Sequence, residues 1–174
     1  MDKVEDYKKE VLGYIERPMQ RLKNKECELG NFVSDAAKEF TNVDVSIINA
    51  GVVRISWEPG NLTYWDLFTT IPFDNFIITF EIKGKDLKYM IETIQQGQKA
   101  LYFLSGLKME ICENPKRILS LKEMNGQQID LDRKYRVATT NFLFFGGDDF
   151  RLLKALNYEN ITYFPILREI VGSE

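Results

Sequence analysis

The residues best suited to chemistry lie together in one stretch, Asn141-Phe142-Leu143-Phe144-Phe145-Gly146-Gly147-Asp148-Asp149-Phe150. Its paired glycines let the backbone turn with positive φ and leave room for a close approach. Phenylalanines precede the turn and two carboxylates follow it. A flat apolar face beside a carboxylate acceptor suits an aromatic ligand carrying donors, such as a nucleobase. The same residues also fit a plain strand-to-helix turn, with Asp148 or Asp149 as helix cap and the phenylalanines in the core. Phe142, Phe144, Phe145 and Phe150 compete for any stacking role, and an extended run would put Phe142 and Phe144 on one face.

Two other loops offer complementary groups. Asn49-Ala50-Gly51-Val52-Val53-Arg54 follows a strand-like run over 43–48. Backbone N–H groups and a guanidinium there could share an oxyanion or phosphate, although an ordinary turn with an exposed Arg reads equally well. Ile71-Pro72-Phe73-Asp74-Asn75 is a Pro-fixed loop. It could lay a ring against a ligand and offer an amide to its edge, or it could plug a core.

The elements that must position these loops are legible from periodicity. Val4, Tyr7, Val11, Leu12 and Ile15 predict an amphipathic helix over 3–16, ended by Pro18. Leu29, Phe32, Val33, Ala36 and Phe40 predict a second helix, in which Gly30-Asn31 implies close packing or a ligand approach. Pro59-Gly60-Asn61 reads as a turn, and Thr63-Tyr64-Trp65-Asp66 has capping-box spacing for a short helix. A strand over 76–82 leads through Gly84 into a third helix marked by Leu87, Met90, Ile91 and Ile94. Strands follow over 101–103 and 107–111, and 117–124 and 127–129 flank the hairpin signal Asn125-Gly126. The last strand, 135–140, precedes the glycine loop. Helical runs over 150–156 and 161–171 close the chain, with Pro165 tolerated only in a first turn.

Composition narrows the chemistry. At 174 residues and 44% apolar, the chain reads as one domain with a real core. Net charge is −3 with no basic stripe, which argues against a general nucleic-acid or anionic-membrane binder. No apolar run reaches the roughly 20 residues that span a bilayer. Met1-Asp2-Lys3 does not open a signal peptide, and this leaves the compartment open. Cys27 and Cys112 are too few for a disulfide framework. There is no histidine, so Ser-His and Cys-His pairs, a His base and His-ligated zinc are excluded. Carboxylate-only metal sites stay open in principle, but no EF-hand-like loop is present.

Several loops resemble one family in the same order. They are Glu26-Cys27-Glu28-Leu29-Gly30-Asn31, Ile48-Asn49-Ala50-Gly51-Val52-Val53-Arg54, Ile71-Pro72-Phe73-Asp74-Asn75, Ile82-Lys83-Gly84-Lys85-Asp86-Leu87, Phe103-Leu104-Ser105-Gly106-Leu107, and Asn141-Phe142-Leu143 with Gly146-Gly147-Asp148-Asp149-Phe150. Over roughly 23–155 the chain resembles the C-terminal domain of the 5′-nucleotidases, a family that includes UDP-sugar hydrolases and 2′,3′-cyclic-nucleotide phosphodiesterases.

The resemblance implies an α+β fold of helices layered around mixed sheet, with residues 1–20 as the remnant of an interdomain linker helix. It implies a substrate-recognition role in hydrolysing nucleotide phosphate esters. Two divalent metal ions and the catalysis would reside in an N-terminal metallophosphoesterase domain that this chain lacks, so the chain would bind without turnover. Phe73 and Phe142 would sandwich the base, Asn75 would meet its edge, and Asp148 would take the ribose hydroxyls. Asn49, Arg54 and Lys23 would lie toward the phosphate; Lys23 stands where the family carries Arg, so it keeps the charge and loses the bidentate fork. Two alternatives stay open: a stand-alone, non-enzymatic relative that binds nucleotide or protein, and the substrate domain of a UDP-sugar hydrolase.

Overall fold

A five-stranded mixed sheet organises the molecule. The computed structural model describes residues 3–22, 25–96, 102–114 and 116–173. The chain opens with α1 (Lys3–Lys9), β1 (Val11–Ile15), α2 (Glu28–Thr41), β2 (Val45–Asn49), β3 (Gly60–Thr63) and α3 (Tyr64–Thr70). It continues with β4 (Phe76–Lys83), α4 (Gly84–Gln96), β5 (Tyr102–Ser105), β6 (Leu107–Glu113) and β7 (Lys116–Glu123). It closes with β8 (Lys134–Thr140), α5 (Asn141–Phe144), β9 (Tyr158–Ile166) and α6 (Leu167–Gly172). The main sheet has the order β5-β2-β8-β4-β9, with β2 and β8 parallel and the other neighbours antiparallel. β1 pairs with β3, and β6 pairs with β7.

Alternating side chains send the central strands into two cores, one on each face. Ile48, Ile77 and Ala138 join Leu29, Val33, Leu67 and Ile170 of the α2, α3 and α6 layer. Ile47, Ile78 and Val137 join Leu87, Met90 and Ile91 of α4 together with Leu121 of β7. β2 is buried along its whole length, as a strand covered on both faces should be. Gly30 lies under the ring of Phe103, where a Cβ would collide, so its reason is packing. Cys27 is buried, Cys112 half-buried, and both are free thiols.

The expected helices and strands are largely in place, with corrections at both ends. The helix over 3–16 stops at Lys9, and Val11–Ile15 becomes a strand antiparallel to Gly60–Thr63. Gly13 weakens any helix there by about 1 kcal/mol, and the neighbouring strand offers ladder bonds instead. Pro59-Gly60-Asn61 accordingly opens β3. The helix over 161–171 is β9 up to Ile166 and helical only from Leu167. Pro165 disfavours helix at the residue before it, and it sits where the edge strand's register with β4 is irregular, a position that tolerates a missing N–H. The run over 150–156 is a 3₁₀ turn, Arg151–Ala155. At Asn125-Gly126 the turn forms, with Gly126 at φ 89°, but its second arm makes only the bridge Lys122↔Gln128 while β7 pairs with β6. The Thr63–Asp66 capping box is present as expected.

Candidate functional site

Strand polarity gathers the three loops at one end of the sheet. β2 and β8 run parallel, so Asn49 and Thr140 finish at the same edge, with Ile47 level with Thr139. β4 runs antiparallel to β8, so its start lies there too, with Ile77 opposite Thr140. The loop 71–75 feeds into that start. Adjacent strands lie about 4.8 Å apart, so the three strand ends span roughly the width of one flat ligand.

Asn49 is buried at this edge, and its Oδ1 accepts a hydrogen bond from Thr140 Oγ1 (3.2 Å). That contact leaves the amide N–H groups of Asn49 as donors. Thr140 Oγ1 also accepts from the backbone N–H of Leu143 (3.3 Å), so Thr140 caps α5. Asn141 Oδ1 beside it is buried without a partner among the described residues. A buried acceptor left unmade costs about 1–3 kcal/mol, so this edge carries an unspent bond.

The phenylalanine run separates into two roles. Asn141–Phe144 forms a helical turn, so Phe142 and Phe144 do not share a face as an extended run would require. Phe144 is 8% exposed and packs against Phe80 and Tyr158 at 5.6 and 5.4 Å. Phe150 is 3% exposed against Tyr102. Both are core residues. Phe142 and Phe145 are 41% and 62% exposed and keep apolar faces available. Gly147 lies against the Phe142 ring, where a Cβ would stand 2.5 Å from its edge. Asp148 follows with φ 52° and is exposed, and its carboxylate meets no partner among the described residues. The side chain of Asp149 lies outside the described residues.

Across the edge, Phe73 is also 41% exposed, and the Arg54 guanidinium lies 5.9 Å from its ring centroid. Arg54 is anchored by its N–H to Thr70 O (2.8 Å), and its Nη1 reaches Gly51 O at 3.4 Å. An exposed guanidinium beside an exposed ring presents charge next to a stacking face. Asn75 is half-buried, and its carbonyl accepts from Leu167 N–H (2.8 Å). Asn49, Arg54, Phe73, Asn75, Phe142 and Asp148 thus stand at or just beyond strand ends on one side of the sheet, whereas Lys23 lies outside the described residues. The sequence marked Asn141 only as part of the glycine stretch, with no role of its own, and did not single out Thr140. A Thr directly before a helical turn is an N-cap signal that could have found the latter.

No group of three or more His, Cys, Asp or Glu side chains is placed to hold a metal ion among the described residues. Asp130 and Asp132 stand two apart, yet Asp130 Oδ1 accepts from the N–H groups of Asp132 and Arg133, forming a turn. A separate open cleft of about 520 Å³ beside the start of α2 is lined by Glu26, Glu28 and Asp35, which makes it unsuited to phosphate.

Residues 7–155 match the family model described as 5′-nucleotidase, C-terminal domain. The trifunctional nucleotide phosphoesterase protein YfkN of Bacillus subtilis is 30% identical over 93% of this chain, which spans 12% of that protein. The NAD 5′-nucleotidase of Haemophilus influenzae is 31% identical over 73% of this chain and 24% of its own length. Among solved structures, the 5′-nucleotidase precursor of Thermus thermophilus superposes with a TM-score of 0.82 at 21% identity, over 98% of this chain and 37% of the other. This last likeness establishes the fold, and the family match carries the kinship: the chain belongs to the 5′-nucleotidase C-terminal domain family.

Proposed function

We propose that this chain is the nucleoside-recognition domain of a 5′-nucleotidase-type phosphohydrolase. The observation that carries the reading is the pair of half-exposed rings, Phe73 and Phe142, just outside adjacent strand ends. A base between them would gain about 1–3 kcal/mol from stacking on each ring. Asn75 would meet the base edge and Asp148 the ribose hydroxyls, where a charge-assisted acceptor is strongest. Asn49 would donate toward the phosphate, and Arg54 and Lys23 would supply the positive charge.

None of these groups breaks a P–O bond. With no histidine, this chain cannot supply a His-containing dimetal centre. Hydrolysis would rest on an N-terminal metallophosphoesterase domain with two divalent ions, which would activate water and neutralise charge on the phosphoryl group under attack. The relatives, a nucleotide phosphoesterase and an NAD 5′-nucleotidase, support a nucleotide substrate.

Calorimetric titration with adenosine and AMP tests the reading. The 174-residue chain should bind both, AMP more tightly, and should not hydrolyse AMP. A folded chain that binds neither overturns this reading.

A further inference from the structure

The geometry points to Arg168 as the positioning residue for the Phe73 loop, acting from a helix on the far side of β4 to set the stacking ring and the Asn75 amide in place. The inference rests on the nucleoside-recognition reading of that loop and deepens it. Arg168 lies on α6, beyond the residues 7–155 matched by the family.

Arg168 is 5% exposed, an unusual setting for a guanidinium. Its Nη1 donates to Ile71 O (2.9 Å) and more weakly to Phe73 O (3.4 Å). Nη2 donates to Asp74 Oδ1 (2.7 Å), and the guanidinium lies 4.7 Å from the Phe68 ring centroid. The preceding residue, Leu167, gives its N–H to Asn75 O (2.8 Å). One turn of chain therefore grips residues 71, 73, 74 and 75, while the Phe73 side chain is left exposed.

The grip is costly. Arg168 Nε is buried without a partner among the described residues, and a cation in the interior carries a desolvation penalty. Burial opposes the charge, and the bond to Asp74 with the nearby Tyr64 hydroxyl outweighs it, so the group's basicity is raised. An apolar side chain would fill the same space, but it could not hold alternate carbonyls of a five-residue loop. A planar fork can, and it fixes direction as well as distance. Ordering the loop before the ligand arrives removes an entropy cost from binding.

A double-mutant cycle tests the inference on the 174-residue chain, with adenosine as probe and thermal melts alongside. The variants are Arg168→Met, Phe73→Leu and the double substitution. If Arg168 acts through Phe73, Arg168→Met weakens adenosine binding about tenfold in the wild-type background and less than about twofold beside Phe73→Leu. Should Arg168→Met not fold, Asp74→Asn takes its place, because Asp74 is solvent-facing and its loss spares the core. Asp74→Asn should show the same non-additivity with a smaller loss. Additive losses, or wild-type affinity in a folded variant, overturn the positioning role alone. A wild-type chain that binds no adenosine overturns the recognition reading and this inference with it.

Discussion

The two ends of the central sheet spend their polar groups in opposite ways. At the end where β8 begins, Arg133 bridges Asp44 (2.7 Å) and Glu123 (2.8 Å) and lies 4.6 Å from the Tyr135 ring centroid. The Tyr135 hydroxyl donates to Glu123 Oε1 (2.6 Å) and accepts from Asp130 N–H (3.0 Å). Asp44 Oδ2 takes the Arg136 N–H, and the Arg136 side chain reaches the carbonyls of Asn42 and Thr41. Each group is answered by another. At the end where β8 stops, neither the buried Asn141 Oδ1 nor Asp148 has a partner among the described residues, and Phe73 and Phe142 stay half-exposed. One sheet thus has a closed pole that contributes stability and an open pole whose bonding capacity is left for something else.

The same substitution at the two poles gives the sharpest contrast. Gly84→Ala would drive a Cβ into the Asp130 backbone carbonyl, which cannot swing aside. We expect a loss of about 3 kcal/mol or more, read by denaturant unfolding, with any remaining folded protein binding adenosine normally. Gly147→Ala would push on the edge of an exposed ring that can rotate away. Stability should change by less than about 0.5 kcal/mol while adenosine affinity falls, because the displaced Phe142 no longer presents its face. Were Gly147→Ala to unfold the chain, the open pole would be structural after all.

Deleting the ring itself comes next. Phe142→Ala should weaken adenosine binding by about 1–3 kcal/mol with an unchanged melt. Phe145→Ala, more exposed but without a glycine seat, should leave binding unaltered in the same titration. Equal losses would reopen the competition between these two rings.

The smallest effect belongs to Tyr135 and appears in alkali. Burial, with the bond to Glu123, raises its pKa above the ordinary value near 10. The folded state therefore holds this proton longer than the unfolded chain does. The resulting stability is complete below about pH 10 and is lost as pH rises through the folded value. Tyr135→Phe should cost about 1–2 kcal/mol at neutral pH and flatten the alkaline decline, as seen in unfolding curves from pH 8 to 11. A slope as steep as that of the wild type would assign the decline to other groups.

The open pole was more legible in the sequence than the closed one. Its residues advertise themselves by type: paired glycines, a Pro-fixed loop and a strand-end Asn followed by Arg. The closed pole is built from common charges whose partners lie far along the chain, as with Asp44 and Arg133, and no local pattern marks such pairs. The central strands were legible because their apolar runs are long. Residues 11–15 and 161–166 were misread as helix because short apolar runs fit either period, and strand partners at 60–63 and 76–82 decided the outcome. By residue type alone Phe144 and Phe150 could not be told from Phe142; the helical turn at Asn141–Phe144 sends Phe144 into the core, and Phe150 is buried after the 3₁₀ turn at Gly147–Asp149.

Backbone amide chemical shifts, followed while adenosine is titrated into isotopically labelled chain, test the contrast between the poles most directly. The expected result is a saturable set of shifts confined to 49–54, 71–75 and 141–148, with Asp44, Glu123, Arg133 and Tyr135 unmoved. Saturable shifts centred on the Arg133 network, or none at either pole in a folded chain, would contradict it.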